Sequence, residues 1–310
     1  MPIVLGINTG FAINRFVEPD DWTRIVSEEL GLQVVQFTAD LLNPWYEERI
    51  VYKQAEKIKN CCEKYNIKIT TTFTSQFTRV NHLLHPDEEI RRAWIEWFKK
   101  FFKLSVFLGA EGGGSHFGIM TVRDCNNPEI RKKRIEQGVE GWRELSEYGS
   151  EIGMKYLIWE PMSIPREVGE TIQETQKIQK LCSRGFPIPM QLCFDVDHGD
   201  VSSSNPEDIN PHAWIKYFGK DIKVIHLKQS LQDKGGHYPF TQEYNCRGRI
   251  IPKELIQTIY EAGIIDCYLI LEISHRERYP FENRVLSDLK ESVKYWRDNI
   301  TSSNLLQTNV

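Results

Sequence analysis

No stretch of this sequence approaches the roughly 20 consecutive apolar residues that a membrane-spanning helix requires, which argues against a membrane role. The N-terminal MPIVLGINTG has neither the basic start nor the apolar core of a signal peptide. Cysteine is sparse: seven are present with no CxxC pair, so neither a zinc knuckle nor a disulfide framework is suggested, and a reducing cytoplasm is the expected setting. There is no GxGxxG and no Walker-type GKS or GKT, which weakens any nucleotide-binding reading. An excess of positive charge is missing as well. With 39 Lys and Arg against 43 Asp and Glu, the net charge of -4 provides no basic face for a nucleic-acid backbone. A small phosphorylated substrate held by a few local cations remains compatible with that balance.

What is present is a soluble-type composition, 40% hydrophobic and 26% charged over 310 residues, with enough apolar material for a large core. Short β-type runs occur at residues 3–8 (IVLGIN), 34–38 (VVQFT), 67–73 (IKITTTF), 104–110 (LSVFLGA), 155–159 (KYLIW), 190–195 (MQLCFD), 222–227 (IKVIHL) and 267–273 (CYLILEI). Longer segments with helical spacing separate them: Trp45 to Tyr65, Asp87 to Lys103, Glu129 to Ile152 and Glu170 to Cys182, with a last one around Asp288 to Trp296. Strands alternating with helices imply right-handed βαβ units and a parallel sheet. Eight such units predict an α/β protein with a single (β/α)8 TIM barrel over residues 1–300 and a flexible C-terminal tail over 301–310.

In such a barrel the residues at the C-terminal ends of the strands share one mouth, where active sites sit. The fifth run ends WEP at Glu160, the sixth FDVDHGD at Asp195 with His198 three residues on, the seventh IHLKQ at His226, and the eighth LEISH at Glu272. Any one of these alone reads equally well as a helix cap or a salt-bridge partner. Four on successive strands point jointly to one divalent ion, with Mn2+ expected first and Mg2+, Co2+ or Zn2+ as alternatives. The mostly carboxylate set argues against a closed structural zinc site. A glutamate in an apolar run such as YLILEI would be costly if left alone, and a metal removes that cost.

On this pattern (Glu-Pro after strand five, Asp-x-x-His after strand six, His on strand seven, Glu on strand eight) the chain resembles the xylose isomerase-like barrel superfamily. That group holds the tagatose/psicose epimerases, inositol-pathway isomerases and endonuclease IV. The resemblance implies that Glu160, Asp195, His226 and Glu272 are metal ligands, that His198 contacts substrate, and that Glu160 and Glu272 double as the acid/base pair. It further implies a metal-dependent isomerase or epimerase of a small ketose or its phosphate, working by proton transfer through a metal-bound enediolate, and a chain that can form a homo-oligomer. The wording HYPFTQEYNCRG and LEISHRERYPFENRVLSDLKESVKYWR resembles the tetrulose-phosphate epimerase/racemase branch most.

One departure concerns the arginine that several sugar epimerases carry shortly after the strand-seven histidine; here the run is HLKQSLQDKGGH. Lys228 lies two residues beyond His226, on the same strand face, where it can hold a substrate oxygen or phosphate or pair with a ligand carboxylate. The loop GGHYPFTQEYNCRGRIIP adds His237, Arg247 and Arg249 as candidate substrate contacts. Gly112, Gly113 and Gly114 follow the fourth β-type run, as a tight turn or a close approach to ligand, and His116 after them is expected to end strand four and face the mouth. Phe11, Trp45 and Phe77 are candidates for an apolar wall. Three rival readings stand beside this one. A C-glycoside deglycosidase subunit would need a small all-β partner. A nuclease would need more histidines and a basic surface. A non-catalytic sugar-binding barrel gains little from keeping an open metal site.

Overall fold

The computed structural model describes residues 3–231 and 235–307. Eight parallel strands, β1 (Val4–Asn8), β2 (Val34–Thr38), β3 (Lys68–Phe73), β4 (Gly112–His116), β5 (Tyr156–Glu160), β6 (Met190–Asp195), β7 (Ile222–Leu227) and β8 (Tyr268–Leu271), pair in sequence order. The pairing of β1 with β8 closes the barrel. Because successive side chains alternate across a strand, each strand feeds two cores. Phe73, Tyr156, Ile158, Cys193, Val224, Tyr268 and Ile270 fill the barrel interior. The opposite faces pack against the helices in a larger sleeve that buries Trp22, Trp97, Trp142, Trp159, Trp214 and Trp296.

The helices follow from local sequence. Helix Glu88–Phe107 starts at Asp87, whose side chain accepts from the Glu89 N–H at 2.8 Å, one of the orphan donors of a helix start. It buries Trp94, Ile95, Trp97, Phe98, Phe101, Phe102 and Leu104, a stripe at three- and four-residue spacing. Helix Pro128–Glu151 has Asn127 as cap and proline in its first turn. Among the described residues no helix is long and apolar enough to cross a membrane.

The position of strand four is corrected. The run 104–110 is not strand four: it is the apolar end of helix Glu88–Phe107 and the turn after it, and β4 is the glycine run itself, GGGSH. These glycines supply close approach between strands, because a Cβ on Gly112 would strike the Tyr156 ring and one on Gly114 the Ile158 carbonyl. The final helix runs from Val285 to Gln307, so residues 301–307 of the expected tail continue it. Residues 308–310 lie outside the described residues.

Candidate active site

Glu160 and Asp195 are the last residues of β5 and β6, His226 is the fifth of six in β7, and Glu272 directly follows β8. One ligand atom from each lies within 4.8 Å of the others. His226 Nδ1 is 3.0 Å from Glu160 Oε1 and 3.5 Å from Glu272 Oε2. Glu160, Asp195 and His226 are buried, and Glu272 is partly exposed toward the cavity. Glu160, Cys193 and His226 form a second grouping, but burial pushes the Cys193 thiol up to about 12. It stays protonated there and is a poor donor to a cation.

A chain of hydrogen bonds decides which imidazole nitrogen faces the carboxylates. The Gly10 N–H donates to Asn8 Oδ1 at 2.7 Å, so Asn8 Nδ2 points the other way and donates to Gln36 Oε1 at 3.0 Å. That same oxygen lies 2.7 Å from His226 Nε2, which must therefore carry the proton. Nδ1, 3.0 Å from Glu160 Oε1, is then the nitrogen that carries a second proton when the imidazole is charged and offers a lone pair when a cation takes that proton's place. This is the outer support that metal-binding histidines need.

The charges favour a cation. Burial opposes a charged imidazole at His226, yet Cys193, Glu272 and Glu160 outweigh it and raise its pKa well above the ordinary value. Burial pushes the Glu160 carboxyl up, but His198 and His226 outweigh that and hold it low. Asp195 is likewise held far down against burial, by His198, Lys228 and His237. Lys228 Nζ is 2.7 Å from Asp195 Oδ2 and 4.0 Å from Glu272 Oε2. The buried ammonium therefore pairs with Asp195 and lies within ionic reach of Glu272. With His226 neutral as a ligand, the three carboxylates against one ammonium leave two negative charges, which one divalent ion replacing the imidazole's extra proton would neutralise. The donor set and the charge count both fit such an ion.

Above this centre a cavity of about 510 Å³ opens, lined by Glu160, Glu272, His116, His198 and His237 with Phe11, Phe73, Met162 and Ile273 as apolar wall. His198 Nδ1 bonds the Pro161 carbonyl at 3.0 Å and lies 3.6 Å from Glu160 Oε1. His237 is 3.1 Å from Lys228 Nζ and 3.5 Å from Glu272 Oε2. His116 is 2% exposed. Burial, and next the Arg79 charge, push its pKa down to about 3, so it is neutral near pH 7.

Not every expected contact reaches this cavity. Lys228 is buried beneath it in its ion pair. Arg249 is committed to Asp197 at 2.7 Å, Ser230 at 3.1 Å and the Ile209 carbonyl at 2.8 Å, and Arg247 is exposed away from the lining. Trp45 packs on Trp94 instead, with ring centroids 5.2 Å apart, and Phe77 also lies off the lining. Residues without an advance signal are Asn8, Arg15, Ser75, Arg79 and Glu167 on the lining and Gln36 beneath it. Only Gln36 gave a hint, as a lone polar side chain amid VVQFT.

Residues 26–299 match the model of the xylose isomerase-like TIM barrel family. The chain belongs to this family. A D-erythrulose 1-phosphate 3-epimerase from Brucella abortus is 38% identical over 301 residues, 97% of each chain. An inosose dehydratase from Lacticaseibacillus casei is 25% identical over 228 residues, 70% of this chain and 71% of its own. Among solved structures, a candidate xylose isomerase from Rhodospirillum rubrum superposes with a TM-score of 0.88 at 24% identity, covering 96% of this chain and 99% of its own. A D-psicose 3-epimerase from Clostridium cellulolyticum gives 0.65 at 17% identity, covering 96% and 92%. The full-length epimerase relative bears out the expectation of an isomerase-class enzyme.

Proposed function

We propose that this xylose isomerase-like barrel interconverts the C3 epimers of a short ketose phosphate, a tetrulose 1-phosphate first among them. One divalent ion, Mn2+ in the first instance, would be held by Glu160, Asp195, His226 and Glu272. The observation that carries this reading is the four-strand donor set within 4.8 Å. It occurs in a chain 38% identical to a D-erythrulose 1-phosphate 3-epimerase.

Such an ion supplies Lewis acidity to a carbonyl and its neighbouring hydroxyl, which acidifies the C–H between them. The side chains do the rest. Glu160, held ionised, and Glu272 come from different strands and flank the space above His226. One of them takes the proton from C3 while the electron pair moves onto the carbonyl oxygen, and the other returns a proton to the opposite face. His198 and His237, each anchored to a backbone carbonyl, orient the hydroxyls. Phe11, Phe73, Met162 and Ile273 keep water from the anionic intermediate.

The test is turnover of D-erythrulose 1-phosphate by metal-replete protein in deuterated water. Inversion at C3 with deuterium incorporated there is expected. Absence of turnover overturns the assignment, and inverted product wholly free of deuterium points to hydride transfer or to a shielded base that does not exchange with solvent.

A further inference from the structure

The cavity reaches further than the metal centre, and its cations are unequally employed. Among the described residues, Arg15 and Arg79 are the lysine or arginine residues on its lining. Arg15 is held through two of its nitrogens: Nε is 2.9 Å from both Glu282 oxygens, and Nη2 is 2.8 Å from Glu282 Oε2 and donates to the His275 carbonyl at 3.0 Å. Arg79 is held only through Nη2, by Glu167 Oε2 at 2.5 Å, and its side chain is 44% exposed. Its other guanidinium N–H groups have no acceptor among the described residues. Glu167 keeps a second partner, Arg166 Nη2 at 3.1 Å, so it is not stranded if Arg79 turns to a ligand.

The loop that carries Arg79 is already built. Asp40 accepts from the Ser75 N–H at 3.1 Å, from the Phe77 N–H at 2.5 Å and from the Thr78 hydroxyl. The Arg79 N–H donates to the Ser75 carbonyl at 2.8 Å and closes the turn. A cation presented on a fixed loop loses little freedom when it binds.

Beside it stands a polar atom with nothing to bond. His116 is on the cavity lining, and its Nε2 is buried and has no hydrogen-bond partner among the described residues. The neighbouring hydroxyls indicate its role. Thr74 Oγ1 is 2.7 Å from Ser115 Oγ, which is 3.2 Å from His116 Nδ1. With Thr74 donating to Ser115 and Ser115 to Nδ1, the imidazole proton sits on Nε2, the ring atom left without a partner beside the cavity. Arg79 is near enough for its charge to act on this ring.

We propose that Arg79 and the Nε2–H of His116 form a phosphate subsite between β3 and β4, which takes the ester end of a ketose 1-phosphate. This rests on the ketose-phosphate reading above and replaces Lys228, Arg247 and Arg249 as the phosphate contacts. Position supports it. His116 pairs in register with Glu160, so the subsite adjoins the metal centre, and the phosphorus of a 1-phosphate lies only three bonds from the carbonyl carbon. Charge-assisted donors suit a phosphate dianion.

Arg79→Gln, Arg79→Lys and Arg247→Gln, all metal-loaded, test the assignment by two readouts. In calorimetric titration with sn-glycerol 3-phosphate, Arg79→Gln should weaken binding by about tenfold or more, with partial recovery in Arg79→Lys. In kinetics, Arg79→Gln should lower the preference for D-erythrulose 1-phosphate over free D-erythrulose in kcat/KM by a similar factor. Unchanged glycerol phosphate affinity in Arg79→Gln overturns the subsite, as does a loss confined to Arg247→Gln. Because the titration needs no turnover, failure of the epimerase reading would show separately, as inactive wild-type protein that still binds the ester through Arg79.

Discussion

Gln36 sits at 0% exposure inside a barrel strand and controls the site without touching the space where substrate would lie. Its oxygen takes the Nε2 proton of His226 and so turns Nδ1 toward Glu160. Replacing it with leucine of similar size removes that acceptor and frees the imidazole to change tautomer or rotate. Gln36→Leu should therefore weaken Mn2+ binding by roughly 10–100-fold, the scale of outer-support losses at metal histidines. Chelator competition measures it, and an unchanged affinity would remove Gln36 from the metal centre. The four donors themselves were legible in the sequence because each ends or follows a recognisable strand. Gln36 and Asn8 were not, because one polar residue in a short strand does not reveal what it faces. Lys228 shows the opposite limit: alternation placed it correctly on the inward face of β7, but only the structure shows Asp195 occupying its charge.

Among the elements, β4 resisted reading for a physical reason. A strand is recognised by apolar or β-branched side chains, and GGGSH has none. Its glycines make room for Tyr156 and for the β5 backbone, while the apolar run just before it belongs to a helix whose end is buried. Gly114→Ala should accordingly destabilise the protein by at least ~1–3 kcal/mol in chemical denaturation, because the added methyl meets the Ile158 carbonyl and not a yielding side chain. A neutral result would mean that β4 and β5 separate easily. The segment after β4 is fastened by charge. Asp124, in the short helix Val122–Cys125, is 2.7 Å from Arg134 Nε and 3.2 Å from Arg123 Nε. Burial raises its carboxyl, but the two arginines outweigh it and hold the folded pKa below the ordinary aspartate value. A folded pKa below the unfolded one means stabilisation that is complete above the unfolded value and lost as pH falls through the folded one. Asp124→Asn should cost about 1–3 kcal/mol near pH 7. The gap from wild type should narrow as pH falls below the ordinary aspartate value and close below the folded one in acid titrations; a gap constant with pH would show that the arginines do not act through the charge.

For the molecule as a whole, the donor set comes from the four strands β5, β6, β7 and β8, joined side by side in a closed barrel. Glu160 and Glu272 are 112 positions apart in sequence, so the unfolded chain holds no such site. Binding of a divalent ion is then linked to folding of the entire barrel: it stabilises the native state by an amount that grows with free metal over Kd. At about a hundred times Kd the gain is about 2.7 kcal/mol. The unfolding entropy expected of a chain this long, about 2 cal/mol/K per residue, converts this to a Tm rise of roughly 4 °C. The rise should continue logarithmically with added Mn2+, reverse with chelator, and vanish in Asp195→Asn, which keeps the shape of the side chain and loses its charge. Calorimetric scans across a Mn2+ series measure it. A Tm that ignores Mn2+ in wild-type protein, together with metal analysis that finds no bound ion, would leave the three carboxylates to be balanced by Lys228 and a protonated His226 alone, and the metal-dependent reading would fall.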